Sequence, residues 1–154
     1  MFRFFKRKAR GQGNADENWS VATGQDNGKS LVFRIRTAPP DGVTKKEYCQ
    51  LVVILWKCDG GENGMPNSAD NQKMVLLEDL MDRAIEDSGQ AFLTVVVTGN
   101  GVKEWQWYTK SEAEFMSLLN RALSGHEVFP IQISAQPDPE WSAYMNFLNA
   151  VSGT

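Results

Sequence analysis

Residues 46–58 read KEYCQLVVILWKC, and every position from Leu51 to Trp56 is apolar. Successive side chains of an extended chain point to opposite faces, so Val52, Ile54 and Trp56 lie on one side and Leu51, Val53 and Leu55 on the other. A strand with one wet face alternates apolar with polar residues, whereas a run that is apolar throughout is covered on both sides. Residues 46–58 are therefore expected to form a strand that is central in its sheet and has structure packed on each face.

Upstream, two alternating stretches, 18–24 and 29–36, flank Gln25-Asp26-Asn27-Gly28. Asn-Gly between strands signals a tight hairpin, because a type I′ turn needs φ > 0 at both central residues. In the second stretch Leu31, Phe33 and Ile35 form an apolar face opposite Arg34 and Arg36. Ala38-Pro39-Pro40-Asp41-Gly42 then turns the chain into 46–58.

Downstream, 70–87 carries Met74, Leu77, Met81, Ala84 and Ile85 at helical spacing, and Ser88-Gly89 stops it. Residues 91–98 set Leu93, Val95 and Val97 against Thr94, Val96 and Thr98; Gly99-Asn100-Gly101 turns into 103–109, where Trp105 and Trp107 alternate with Glu104, Gln106 and Tyr108. Ser111-Glu-Ala-Glu114 is a capping box for a helix with Phe115, Leu118, Leu119 and Ala122 inward, closed at Gly125. A short strand follows at 130–135, and Asp138-Pro139-Glu140-Trp141 predicts an N-capped helix carrying Tyr144, Met145, Leu148 and Val151. The order predicts an α+β fold: an antiparallel sheet with a ferredoxin-like β-α-β-β-α-β core, preceded by a hairpin and followed by a C-terminal helix. Its exposed sheet face is expected to carry Arg34, Arg36, Thr94, Thr98, Glu104, Gln106, Tyr108, Gln132 and Ser134, with Val52, Ile54 and Trp56 on or near the same side. The terminal helix or a second subunit is then needed to cover part of it.

A chain of 154 residues suits one domain that buries roughly 70% of its unfolded surface without metal or disulfide. The domain is expected over 18–151, with 1–17 as a mobile tail and linker. The longest apolar run is far short of the ~20 residues that cross a bilayer, and the N-terminus lacks the apolar segment of a secretory signal, so the expected location is the cytoplasm. Five of the chain's 16 basic residues fall in MFRFFKRKAR, leaving 11 against 19 acids, a net −8 over residues 11–154. Phe2, Arg3, Phe4, Phe5, Lys6, Arg7 and Lys8 read either as a solubilising start or as a contact for an anionic membrane surface or a partner.

Catalytic and cofactor motifs fail on spacing. Gly24 to Ser30 resembles a phosphate loop with three residues between its glycines where four are needed, and it leads into a strand. Asp59, Asn63, Gly64 and Asp70 fall at the first, fifth, sixth and twelfth positions of a calcium loop, but Gly61 occupies the third and Asp70 is too short for the bidentate twelfth. On one strand Cys49 and Cys58 would lie ~30 Å apart and cannot form a disulfide. With His126 as the sole histidine, a zinc site lacks ligands. His126 itself reads as a loop residue at a helix C-terminus, and Glu78, Asp79, Asp82, Glu86 and Asp87 as a solvated helix face. Neither a catalytic residue nor a cofactor is assigned. An acidic body without an aromatic ribonucleoprotein motif argues against direct nucleic-acid binding. The candidate binding surface is Arg34, Arg36, Trp56, Gln106 and Tyr108. The expected partner is another protein or a second copy of the chain, with at most peripheral membrane contact through the tail. A small molecule bound or transformed on the sheet face is the alternative.

Trp19-Ser-Val-Ala, the apolar strand, Trp105-Gln-Trp-Tyr and, most specifically, Asp138-Pro-Glu-Trp141 followed by Tyr144 resemble bacterial proteins of domain-of-unknown-function family 695 (DUF695). The resemblance covers 18–151 and carries no catalytic residues. The family is similar in kind to the type B regulators of ribonuclease activity, small acidic α+β proteins that bind the enzyme they inhibit. The resemblance thus implies a protein-binding module by analogy.

Overall fold

Two Asn-Gly turns set the sheet. Asn27 and Gly28 have φ of 50° and 78°, and Asn100 and Gly101 of 52° and 75°, the paired positive values that a type I′ turn requires. They join β2 (Trp19–Asp26) to β3 (Lys29–Arg36) and β5 (Ala91–Gly99) to β6 (Val102–Thr109). The computed structural model describes residues 3–8, as backbone alone, and 18–152. Its remaining elements are β1 (Arg3–Lys8), β4 (Gln50–Lys57), α1 (Ser68–Met81) with a π-helical continuation (Asp82–Glu86), α2 (Glu112–Leu123), β7 (Ile131–Pro137) and α3 (Ser142–Ser152).

Strands β2 to β7 form an antiparallel sheet in the order β2-β3-β5-β6-β4-β7, and β1 pairs antiparallel with the outer edge of β2. The sheet therefore takes in backbone upstream of Asn18, where the sequence places its start; the rest of the 1–17 segment lies outside the described residues. β4 is interior, between β6 and β7, but the middle of the sheet is β5. An all-apolar run reports that both faces are covered, which is met by any interior strand under helices; it does not report lateral position. β4 is also shorter than the expected 46–58. A backbone bond from Tyr48 N to Thr44 O closes a turn just before it, and Cys49 and Cys58 flank it as free thiols.

Each face has its own core. Helices α1 and α2 cover Val52, Ile54, Trp56, Leu93, Val96, Trp105 and Trp107. Helix α3 covers Leu31, Phe33, Ile35, Leu51, Phe92, Val95, Val97 and Tyr108 on the other side. This division corrects the expected single polar face. Arg34 and Arg36, opposite the Leu31, Phe33 and Ile35 side chains, lie on the α1 side, whereas Glu104, Gln106 and Tyr108 lie on the α3 side in register with Leu55, Val53 and Leu51. Val52, Ile54 and Trp56 pair with Trp107, Trp105 and Lys103 and belong to the α1 side. Strand β5 breaks simple alternation through a bulge between Leu93 and Val95, which puts Leu93 and Val96 on one face and Val95 and Val97 on the other. Thr94, expected on the exposed face, is fully buried in that bulge and donates its hydroxyl to Gln106 O at 3.0 Å.

Helix α1 starts before the expected Asp70, because Asn67 Oδ1 accepts Asp70 N at 2.8 Å and caps it. The Ser111 cap of α2 is as expected, accepting Glu114 N at 3.3 Å. Among the described residues no helix is long and apolar enough to cross a membrane.

Candidate functional site

Helix α1 lies beside β3, and its acids meet the strand's arginines. Arg34 Nη2 donates to Glu78 Oε1 at 2.5 Å, and Trp105 Nε1 donates to the same oxygen at 2.7 Å. One helical turn and the π-turn further on, Glu86 Oε1 accepts from Arg36 Nη2 and from Leu93 N at 3.2 Å, while Arg36 Nε donates to Leu93 O at 2.7 Å. Trp19 supplies a ring face to both guanidinium groups, 5.4 and 4.8 Å from its centroid. Glu78, Asp82 and Glu86 are thus turned toward the sheet, which corrects their reading as a solvated face: helical spacing alone does not tell water from a strand carrying arginines.

Two arginines meet three acids, and among the described residues Asp82 forms no ion pair. Burial, then the negative charges of Glu86 and Glu78, push its carboxyl up to about 6. Burial also works to raise Glu78, but the Arg34 and Trp105 hydrogen bonds and the Arg34 charge prevail and hold it below the ordinary carboxylate value. Lys103, on β6, is drawn below the ordinary lysine value by burial, which the charge of Glu78 opposes. Its ammonium lies 5.4 Å from the Trp105 ring centroid and forms no ion pair or hydrogen bond among the described residues.

A cleft of about 250 Å³ opens here, lined by Val21, Val32, Arg34, Val75, Glu78, Val96, Thr98 and Lys103. A second hollow of about 260 Å³ lies across α1, lined by residues including Trp56, Asp70, Lys73, Leu76, His126, Glu127, Val128 and Phe129. The large apolar side chains most exposed among the described residues are Val21 (38%), Val32 (36%), Val75 (49%), Leu76 (44%) and Val128 (91%). The first three line the cleft and the last two the hollow. Val75 and Leu76 are consecutive on α1, so the helix carries an apolar strip from one depression to the other. Scattered single apolar residues are ordinary on a surface; a gathered set rimmed by charge is the mark of an interaction site.

The most specific motif of the sequence serves the fold instead. Asp138 is not the residue adjoining the helix: α3 begins at Ser142, and the Asp138 carboxylate reaches forward to accept Ser142 N at 2.9 Å, Ala143 N at 3.1 Å and the Tyr108 hydroxyl at 2.7 Å. Burial would raise this carboxyl, but those donors lower it below its ordinary value. Burial and the same bond to Asp138 push the Tyr108 hydroxyl up. Trp141 takes the left-handed conformation at φ 54°, uncommon for a bulky residue. Its ring is thereby packed against Phe92, Tyr108 and Tyr144, and its indole N–H donates to Tyr48 O at 2.7 Å.

The candidate surface residues are consequently dispersed. Arg34 and Arg36 stand by α1 in ion pairs; Trp56 is buried under the same helices; Gln106 and Tyr108 are buried on the α3 side. Of the calcium-like loop, Asp59 and Asn63 accept Gly61 N and Met65 N within the loop itself, and Asp70 sits in the first turn of α1. His126 follows α2, its backbone N–H bonded to Leu123 O. Of the tail set, Arg3, Phe4, Phe5, Lys6, Arg7 and Lys8 supply the backbone of β1, and Phe2 lies outside the described residues. Val75, Leu76 and Lys103 were not singled out by sequence reasoning. The first two carry a signal: Met74-Val75-Leu76-Leu77 is apolar at four successive positions, which at roughly 100° per residue cannot all face one core.

These features define a mixed α/β protein: one antiparallel sheet between two helices on one face and one on the other, with a charged, valine-lined cleft beside α1. The chain belongs to the family described as Family of unknown function (DUF695), whose model matches residues 17–149. Among curated proteins none matches it.

Proposed function

We propose that this chain is a non-catalytic protein-binding or regulatory module of the cytoplasm, and that it takes its partner on the α1 face. The observation that carries the reading is the gathering of the exposed Val21, Val32, Val75, Leu76 and Val128 around one helix. The order β5-β6-β4-β7, with α1 and α2 in its connections, supports taking those elements as a ferredoxin-like core. The acidic body supports, by analogy alone, a kinship with bacterial type B regulators of ribonuclease activity, whose partner is a protein.

A small-molecule ligand or substrate is the second reading, favoured by an acid near 6 and a half-buried lysine beside the cleft. Geometry argues for binding over proton transfer. Asp82 is not among the residues that line the cleft, and Glu78, which is, has one oxygen committed to Arg34 and Trp105 and stays ionised. A general acid or base must reach its proton within hydrogen-bond distance.

Benzoylphenylalanine placed at Val75 of the full chain, with Asn149 on the exposed side of α3 as control, tests the proposal by photocrosslinking in cells. A discrete protein adduct from position 75 and none from 149 is expected. Equal yields from both positions, or no adduct at 75, would refute it.

A further inference from the structure

Among the described residues, Lys103 is the charged group lining the cleft that forms neither an ion pair nor a hydrogen bond. Glu78 is engaged by Arg34 and Trp105, and the charged lining among the described residues, Arg34, Lys103 and Glu78, carries a net +1, on a body of net −8 over residues 11–154. The ammonium is kept against the Trp105 ring, which limits the side-chain freedom lost when it pairs. Around it the lining is aliphatic, from Val21, Val32 and Val75, with the Thr98 hydroxyl in cross-strand register with Lys103. At about 250 Å³ the cleft is below the roughly 300–1,000 Å³ that encloses a drug-sized ligand. It has room for one or two side chains delivered by a larger molecule.

Resting on the protein-binding reading above, we infer that the cleft receives an acidic segment of the partner protein, a Glu or Asp carboxylate pairing with Lys103 while an adjacent aliphatic side chain packs on the valines. A neutral polar group would accept a hydrogen bond from the ammonium without balancing its charge. A basic one would meet it as a like charge. The acidic body does not forbid an acidic partner, because charges beyond a Debye length of ~8 Å are largely screened at physiological salt.

The experiment is an NMR titration of the full chain with acetyl-Leu-Glu-Leu-amide, acetyl-Leu-Gln-Leu-amide and isovalerate, in the native protein and in Lys103→Met and Lys103→Arg. Spectral dispersion reports that each variant is folded. The Glu peptide is expected to shift the amides of Val32, Thr98 and residue 103 and to bind about tenfold tighter than the Gln peptide, whose amide oxygen can accept the hydrogen bond but does not pair the charge. Lys103→Met is expected to erase that ratio and Lys103→Arg to keep most of it. Equal binding of the Glu and Gln peptides, or shifts confined to another surface, would overturn the inference. So would isovalerate binding as tightly as the Glu peptide, which would assign the cleft to a small carboxylic acid. Adducts at position 75 with no Glu preference would remove this inference alone, whereas absence of adducts removes the protein-binding reading beneath it.

Discussion

Replacing Trp141 by alanine strips the pivot on which α3 meets the sheet. The side chain is 4% exposed and touches the rings of Phe92, Tyr108 and Tyr144 at centroid separations of 5.5, 5.6 and 6.2 Å. Removing an indole from such a site typically costs about 3–5 kcal/mol. The loss includes the buried bond to Tyr48 O, whose carbonyl is left without that donor. A domain of this size has only about 5–15 kcal/mol to lose, and with a urea slope of about 1–3 kcal/mol/M the midpoint should fall by roughly 2 M. A second substitution separates packing from backbone. Because φ at 141 is 54°, alanine retains a left-handed penalty of roughly 1–2 kcal/mol that glycine lacks. Trp141→Gly should therefore be more stable than Trp141→Ala by about 1 kcal/mol, the reverse of the usual order in helices. Urea melts of the three proteins decide. An unchanged midpoint for Trp141→Ala would refute the docking role, and Gly below Ala would refute the backbone argument.

Asp138→Asn weakens a carboxylate that accepts from Tyr108, Ser142 and Ala143 and is expected to cost about 2 kcal/mol near neutral pH. Since the folded carboxyl is held below its ordinary value, this contribution is complete above about pH 4 and is lost as pH falls through the lower folded value; melts in acid should show the gap between native protein and variant closing there. Asp82 has the opposite sign. Its folded value is pushed up to about 6, so stability falls as pH rises from about 4 through 6, and Asp82→Asn should melt higher than the native protein at about pH 8 but not at about pH 4. A variant that gains nothing at the higher pH would show that Asp82 carries no charge cost. Deleting residues 1–13 removes β1 and bares the outer edge of β2, so a fall of a few degrees in melting temperature is expected, together with loss of co-sedimentation with anionic vesicles. Equal sedimentation of the two proteins would end the membrane reading of the tail.

Much of the architecture is local and therefore legible. Asn27-Gly28 and Asn100-Gly101 encode their turns because few other residues tolerate paired positive φ. Ser111 encodes a helix start because its hydroxyl answers an otherwise unpaired N–H. Leu31, Phe33 and Ile35 encode a buried face by their period of two. The Asp-Pro-Glu-Trp segment was legible as the start of α3, although its geometry was not: an N-cap rule places the acceptor next to the helix, whereas here a turn intervenes and the carboxylate bonds from four residues ahead.

The candidate site was not legible, because it arises where elements distant in sequence meet. Periodicity separates the two faces of each strand but does not say which faces of different strands coincide, and one bulge at Leu93 to Val95 changes the answer for half of β5. The acids of α1 look solvated until β3 brings Arg34 and Arg36 against them. Lys103 is one lysine among many until the sheet order sets it beside Glu78 and a row of valines. Residues close in sequence encode the two Asn-Gly turns, the Ser111 cap, the α+β class and the presence of a run covered on both sides, since each depends on steric and hydrogen-bonding preferences within a few residues. Tertiary structure alone decided that β5 lies in the middle, which charges neutralise one another and where exposed apolar side chains gather, since those depend on which surfaces the folded chain brings into contact.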